Sequence, residues 1–442
     1  MKLFYALTSI LLFVVCLEIF GQESLLNAGP MVGHSQMREV TIWVQTNTEA
    51  DVKILYHNTK AESTFYETNS VRTAKDNAFT AHLIADMVEE GQTYNYDLYI
   101  NDQKINFDYP LEFQTQKLWQ WREDPPEFSF ATGSGAYINE PEFDRPGTPY
   151  GGNLKIYHTI YEKDPDFMLW LGDNVYLREA DYYSRTGILK RYTYHRSTPE
   201  LQPLLGSVHH YAIWDDHDFG PNNSDRSYIL KDVTLEAFKL FWANPSYGVN
   251  GKPGTTTYFQ WGVIDFFLMD NRYYRTPEYR DHIDRKLLGD EQLDWLIDAL
   301  VNSRAPFKIV AMGGQALTPI DKFETYTTFP AEKEKLLQLI QAEGIIGVIF
   351  LTGDRHLTEL TKMERRGTYP LYDFTISPLT SGPNTYEPEP NFYRVDGTLV
   401  QQRNFAVFNF SGSRKDRKLK CTVFDTEGKE LWSYSIHENE LK

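Results

Sequence analysis

The rhythm of apolar and polar positions changes once along this chain. From about residue 38 to 115 the two alternate. REVTIWVQT places Val40, Ile42 and Val44 on one face, and DVKILYH, FTAHLIA, TYNYDLYI and KINFDYPLEF repeat the pattern at short intervals. A period of two over short runs separated by turn residues predicts antiparallel strands. Together they predict a small β-sandwich, fibronectin- or immunoglobulin-like, over 25–118.

QWREDPPEF (120–128) then forms a proline-rich boundary. Beyond it the apolar runs become continuous. FSFATGSG, DFMLWLGDN, HHYAIWDDHD, FKIVAMGGQ and GVIFLTGDRH each end in a Gly- or Asp-containing turn. Continuous runs of this length are strands covered on both faces. Between them, TLEAFKLFWA, EQLDWLIDALVNS and EKEKLLQLIQAEG carry helical spacing, and Gly344 is placed to cap the last. TYFQWGVIDFFLMD reads as an antiparallel hairpin, so the sheet is predicted to be mixed. FAVFNFSG, KLKCTVFD and ELWSYSI return to strands that complete it. The fold class is therefore α/β, with one catalytic-type domain over 125–440.

The N-terminus changes the setting of this domain. MKLFYALTSILLFVVCLEIFGQ is a lysine-led apolar stretch ending near Gly21, with Glu18 interrupting its end. It predicts a secretory signal peptide over 1–21 rather than a membrane anchor, and a periplasmic or extracellular location. No later segment is apolar enough to span a bilayer. Cleavage would leave Cys421 as the one cysteine, which excludes an intramolecular disulfide. The formal charge of −17 disfavours a nucleic-acid-binding surface. Part of the acid is expected to be local and neutralised by bound cations.

In open α/β sheets, ligands bind at the carboxyl ends of strands. There this chain places Asp173 and Tyr176 (LWLGDNVY), then Asp215, Asp216, His217 and Asp218 (AIWDDHD). FLMDNRYYR adds Asp270 and Arg272, and FLTGDRH adds Asp354 and His356. Clustered carboxylates oppose each other's ionisation unless a positive charge lies among them, and metal ions supply it. Carboxylate and phenolate suit a hard trivalent ion, and carboxylates suit calcium or magnesium. Two or more such ions can clamp a phosphoryl group and activate a water for in-line attack.

These motifs resemble the alkaline phosphatase D (PhoD-like) family, related to the purple acid phosphatases and the calcineurin-like metallophosphoesterases. The mature start, GPMVGHSQMREVTIWVQT, resembles the family's N-terminal module. GDNVY (172–176) is similar to its GDxxY motif and WDDHD (214–218) to its GNH(D/E) motif. GDRH (353–356) is similar to GHxH in a GDxH form, MDNR (269–272) to LDTR, and SPLTSGP (377–383) to its serine-rich segment. The resemblance implies a calcineurin-like metallophosphatase core with mixed sheets. It implies metal ligands at Asp173, as the bridge, and at Tyr176, Asp216, Asp354 and His356. His217 would act near the leaving group and Arg272 on the phosphate. Fe3+ and Ca2+ are the ions implied. The implied activity is hydrolysis of phosphomonoesters or phosphodiesters by a metal-activated hydroxide. A phospholipase D-type phosphodiesterase of the same family is the alternative.

One position departs from the family. Its first motif reads FGSC, with the cysteine as an iron ligand, whereas this chain reads ATGSGAY, with Gly135 in that place. Three outcomes follow. Iron is held by Tyr176 and carboxylates alone; or another ion such as Ca2+, Mg2+ or Zn2+ takes the site; or the chain is a metal- or phosphate-binding protein with weakened catalysis. Asp215, Asp218 and Asp270 have no role assigned by sequence.

Overall fold

The computed structural model describes residues 25–442 apart from Glu62 and Pro388. The signal sequence expected at 1–21 lies outside the described residues. No described helix is long and apolar enough to cross a membrane.

Two small sheets form the N-terminal part. Leu26–Ser35, Val40–Thr46 and Thr80–Ala85 make one; Asp51–Asn58 and Thr93–Ile100, with short flanking strands, make the other. Val40, Ile42, Val44, Val52, Ile54 and Leu98 fill the space between them. The opposite face of the first sheet is covered too. Trp43 is fully buried there, and its indole N–H donates to the Leu240 carbonyl at 2.8 Å. Only parts of KINFDYPLEF are strand, at Gln103–Lys104 and Glu112–Gln114.

The larger part contains twelve strands in two sheets. The first sheet uses β1 (Phe128–Gly133), β2 (Phe167–Leu171) and β3 (His209–Ile213). The second uses β4 (Thr257–Trp261), β5 (Ile264–Leu268), β6 (Lys308–Met312), β7 (Val348–Thr352), β8 (Glu359–Met363) and β9 (Leu371–Thr375). The C-terminal strands β10 (Asn404–Ser411), β11 (Lys418–Asp425) and β12 (Glu430–His437) join the first. The orders are β3-β2-β1-β10-β11-β12 and β4-β5-β6-β7-β9-β8.

Both sheets are mixed: the first is parallel in one half and antiparallel in the other, and the second is parallel at its centre and antiparallel at both edges. β1, β2 and β3 run parallel, while β10 pairs antiparallel to β1 from Phe128↔Phe410 to Thr132↔Ala406. In the second sheet β5, β6, β7 and β9 run parallel, and β4–β5 is the expected hairpin. The two sheets face each other across a dense apolar core, where Phe130 meets Phe266 edge-on with ring centroids 5.5 Å apart. That double cover explains the continuous apolar runs: every residue of β2 and β7 is buried.

Helices Lys231–Phe241, Asp290–Asn302 and Pro330–Ala342 occupy the three stretches with helical spacing. Gly344 follows the last in the left-handed conformation. The first helix packs with Trp43, Trp170 and Trp214 in a second core outside β1–β3. Trp43 thus belongs to the joint between the N-terminal sheets and the core. Trp43→Ala should cost about 3–5 kcal/mol. The unfolding midpoint in urea should fall, and an unchanged midpoint would show that the joint carries no stability.

Candidate metal centre

The turns after β2, β3 and β7 converge. β2 ends in Gly172–Asp173, β3 runs through Trp214 into the one-turn helix Asp216–Phe219, and β7 ends in Gly353–Asp354. Gly172 makes the approach possible: its φ is +84°, and a Cβ there would lie 2.7 Å from the Asp215 Cβ. Asp173 (φ +51°), Asp354 (+64°) and His356 (+53°) all adopt the left-handed conformation. This region is sparsely populated by L-residues, though Asp and His tolerate it better than most. Strained residues gathered in one place are a mark of functional sites.

The convergence brings together two groups of potential ligand atoms. Asp173, Asp216 and His217 offer atoms within 4.8 Å of one another, and so do Asp215, Asp216 and Asp354. Tyr176 and His356 stand beside the first group. The Tyr176 hydroxyl donates to Asp173 Oδ2 at 3.1 Å and lies 3.0 Å from His356 Nε2. All five expected ligands therefore line one cavity of about 860 Å³, together with His217, Arg145, Arg178 and Arg355.

The electrostatics call for a cation. Burial, then repulsion from Asp216, Asp215 and Asp354, holds the Asp173 carboxyl well above its ordinary pKa. Burial and repulsion from Asp215, Glu324 and Asp216 do the same to Asp354. Burial alone would raise Asp216 too, but His217, Arg272 and the Asn223 N–H outweigh it and hold this carboxyl down. Burial lowers His356 to about 4, so near neutral pH it is a neutral imidazole able to ligate. Asp215 Oδ2 and Asp216 Oδ1 are buried acceptors with no hydrogen-bond partner among the described residues. Orphaned, mutually repelling oxygens of this kind fit hard cations.

Residues without an expected role prove to be the frame. The Asp218 carboxylate accepts the N–H groups of Asn174 and Asp215, at 3.1 and 3.0 Å, and so ties the GDN turn to the helix bearing Asp216. Asp270 accepts from the Trp214 indole at 2.8 Å and from the N–H groups of Arg272, Tyr273 and Thr255, each at 2.9 Å. Asp215 lies within the second potential ligand group and also accepts from Asn271 at 2.8 Å.

Arg272 is not placed as expected. Its guanidinium is fully buried and does not line the cavity. Nε donates to Asp215 at 2.5 Å, and the terminal nitrogens donate to Glu324 at 2.8 and 3.3 Å. The fork is already filled by protein carboxylates, so Arg272 holds Asp215 rather than a phosphate. The arginines that do reach the cavity are Arg145, stacked 3.8 Å over Tyr150, Arg178, and Arg355, which donates to Gln315 and Glu389. Sequence also missed Tyr150, whose hydroxyl lies 2.7 Å from His356 Nδ1, and Glu324. Both come from loops with no motif around them.

Comparison with known proteins agrees with this geometry. A family described as PhoD-like phosphatase matches residues 130–416, and a domain of unknown function, DUF7800, matches 23–118. The chain is 22% identical over 400 residues to alkaline phosphatase D of Bacillus subtilis (strain 168), covering 78% of this chain and 64% of that protein's length. A solved structure of PhoD superposes with a TM-score of 0.77 at 17% identity, covering 96% of this chain and 92% of that one. The purple acid phosphatase PPD1 from yellow lupin (Lupinus luteus) seeds does so with a TM-score of 0.68 at 12% identity, covering 92% and 74%. The fold expected from sequence is therefore the fold observed.

The same electrostatics set a pH dependence. Burial pushes Asp215 up to about 6 and Asp218 up to about 8. An unfolded aspartate titrates near 3.9. Between these values the folded state binds more protons than the unfolded one, so stability falls as pH rises. Buried histidines such as His209 and His210, lowered to about 4 and 3, push the other way, so the test is differential. Between pH 5 and pH 8 the urea midpoint of chelator-stripped wild type should change less favourably than that of Asp218→Asn, and identical pH profiles for the two would contradict this reading of the cluster.

Proposed function

The chain belongs to the PhoD-like phosphatase family, and we propose that it is a metal-dependent phosphoesterase acting on phosphomonoesters or phosphodiesters. The observation that carries the proposal is the convergence of Asp173, Asp216 and Asp354 on one cavity, with the buried Asp215 within ligand-sharing distance of Asp216 and Asp354. Family membership supports the reaction class. The chain spans less than two thirds of its curated relative, so that protein's activity enters here only as part of the proposal.

Asp173, Tyr176 and His356 would hold one ion, and Asp215, Asp216 and Asp354 a second, with Asp173 between them. Ions so bound supply positive charge for the phosphoryl oxygens and an acidified water as nucleophile. The protein's own groups do the rest. Arg145 and Arg178, at the cavity wall, are placed to draw in and orient an anionic ester. His217 stacks on Tyr176 with ring centroids 4.3 Å apart, and its Nδ1 has no partner among the described residues. Burial lowers its pKa against the opposing pull of Asp216, and its ring is placed to donate a hydrogen bond as charge develops on the leaving oxygen. Arg272, through Asp215, keeps the second ion's carboxylate in place.

The mature protein is placed in the periplasm or outside the cell, on the strength of the N-terminal apolar sequence. The buried Cys421, free in the described structure, needs no reducing compartment.

Asp173→Asn should abolish turnover while leaving the circular dichroism spectrum unchanged. His217→Asn should lower kcat about 10²–10⁴-fold, most strongly for esters with poor leaving groups. Initial rates on a phosphomonoester, a phosphodiester and a phospholipid identify the substrate class. Full activity of Asp173→Asn on any of them would refute the metal site. Stoichiometric metal with no hydrolysis of any ester would make the protein a binder instead.

A further inference from the structure

Gly135 offers no side chain where relatives present a ligand, yet the space beside it is filled. β1 runs through Ser134 into Gly135, whose φ is +75°. The Gly135 carbonyl accepts the N–H groups of Thr380 and Ser381 at 3.0 and 2.9 Å. Arg403 Nε donates to the carbonyls of the same two residues, at 2.9 and 3.1 Å. The segment bearing Ser381 is thus clamped against the end of β1. A Cβ at residue 135 would lie 2.8 Å from Ser381 Oγ and 3.2 Å from the Pro378 Cβ. The Ser381 hydroxyl therefore occupies the place that a side chain at 135 would enter.

Ser381 is fully buried, and its hydroxyl faces the ligands. Oγ lies 3.3 Å from His356 Nε2. His356 Nε2 lies 3.0 Å from the Tyr176 oxygen, which lies 3.1 Å from Asp173 Oδ2. Ligand atoms at right angles around an ion with bonds of about 2.1 Å are about 3 Å apart. The three consecutive separations along this row of four atoms match that spacing.

We propose that the Ser381 hydroxyl is a direct metal donor, replacing the missing side chain at residue 135 and completing a set with Asp173, Tyr176 and His356. The proposal rests on the metallophosphoesterase reading above. It also selects the ion. A thiolate brings softness and a full negative charge; a hydroxyl brings neither. Carboxylate, phenol, hydroxyl and imidazole together favour a hard, oxygen-preferring cation such as Mn2+ over a thiophilic one. Gly135 and Ser381 form one solution in this account: any side chain at 135 would displace the hydroxyl.

Spectroscopy with cadmium tests the geometry, and Mn2+ titration tests the affinity. Chelator-stripped wild type, Ser381→Ala and Ser381→Cys are titrated with each ion. Ser381→Ala should bind Mn2+ at least about 10-fold more weakly at one of two sites. Ser381→Cys loaded with Cd2+ should show thiolate-to-cadmium charge-transfer absorption. Wild type and Ser381→Ala should lack it, although both retain Cys421. If Ser381→Cys binds Cd2+ without that absorption, Ser381 only hydrogen-bonds His356 and the proposal falls whatever Ser381→Ala does to Mn2+ affinity, while the metal site stands. Wild type that binds neither ion would overturn both.

Discussion

The mutual repulsion of buried carboxylates is the constraint on which the rest of the structure depends. Asp173, Asp216 and Asp354 line one pocket with Asp215 buried behind them, and two of the four are held far above their ordinary pKa. A fold can keep such a group only by supplying positive charge from more than one side. Behind the pocket, Arg272 supplies it from the protein, bonded at once to Asp215 and Glu324. Toward the cavity Arg355 acts on Asp354, yet Asp215 Oδ2 and Asp216 Oδ1 keep no hydrogen-bond partner among the described residues. That asymmetry makes the cluster a site rather than a salt bridge. An ion pair satisfied on all sides would be structural and inert.

Backbone design follows from the same constraint. Parallel strands aim their carboxyl ends at one edge, and sharp turns must then bring charged side chains close. Asp173, Asp354 and His356 reach their positions only through left-handed backbone conformations. Each is fixed by its neighbours: the Asp354 N–H donates to Ser134 Oγ at 3.2 Å, and the His356 N–H to Ser377 Oγ at 3.1 Å. Asp218 and Asp270, in turn, spend their carboxylates on backbone N–H groups. Acidic residues in one short stretch thus divide between facing the cavity, as Asp216 does, and holding the chain, as Asp218 does.

The β2, β3 and β7 runs were legible because strands buried on both faces must be continuously apolar. Their terminal aspartates were legible because a motif accompanies each. Arg272 was legible as a residue and misleading as a role. Sequence shows a fork suited to phosphate, but only the fold shows Glu324 and Asp215 already in it. Tyr150 carries no motif, and Ser381 sits in SPLTSGP, a motif that gave no role to its hydroxyl; both reach His356 through loop packing, which no periodicity records. Gly135 was visible as a missing ligand, whereas the hydroxyl that fills its space was not.

The central claim is that this cluster holds two cations, one on each side of Asp173. Anomalous diffraction from crystals grown with Mn2+ and inorganic phosphate tests it most directly. Two anomalous peaks are predicted, one among Asp173, Tyr176, His356 and Ser381, and one among Asp215, Asp216 and Asp354, with phosphate between them. A map with no peak in the cavity, at saturating Mn2+, would contradict the account.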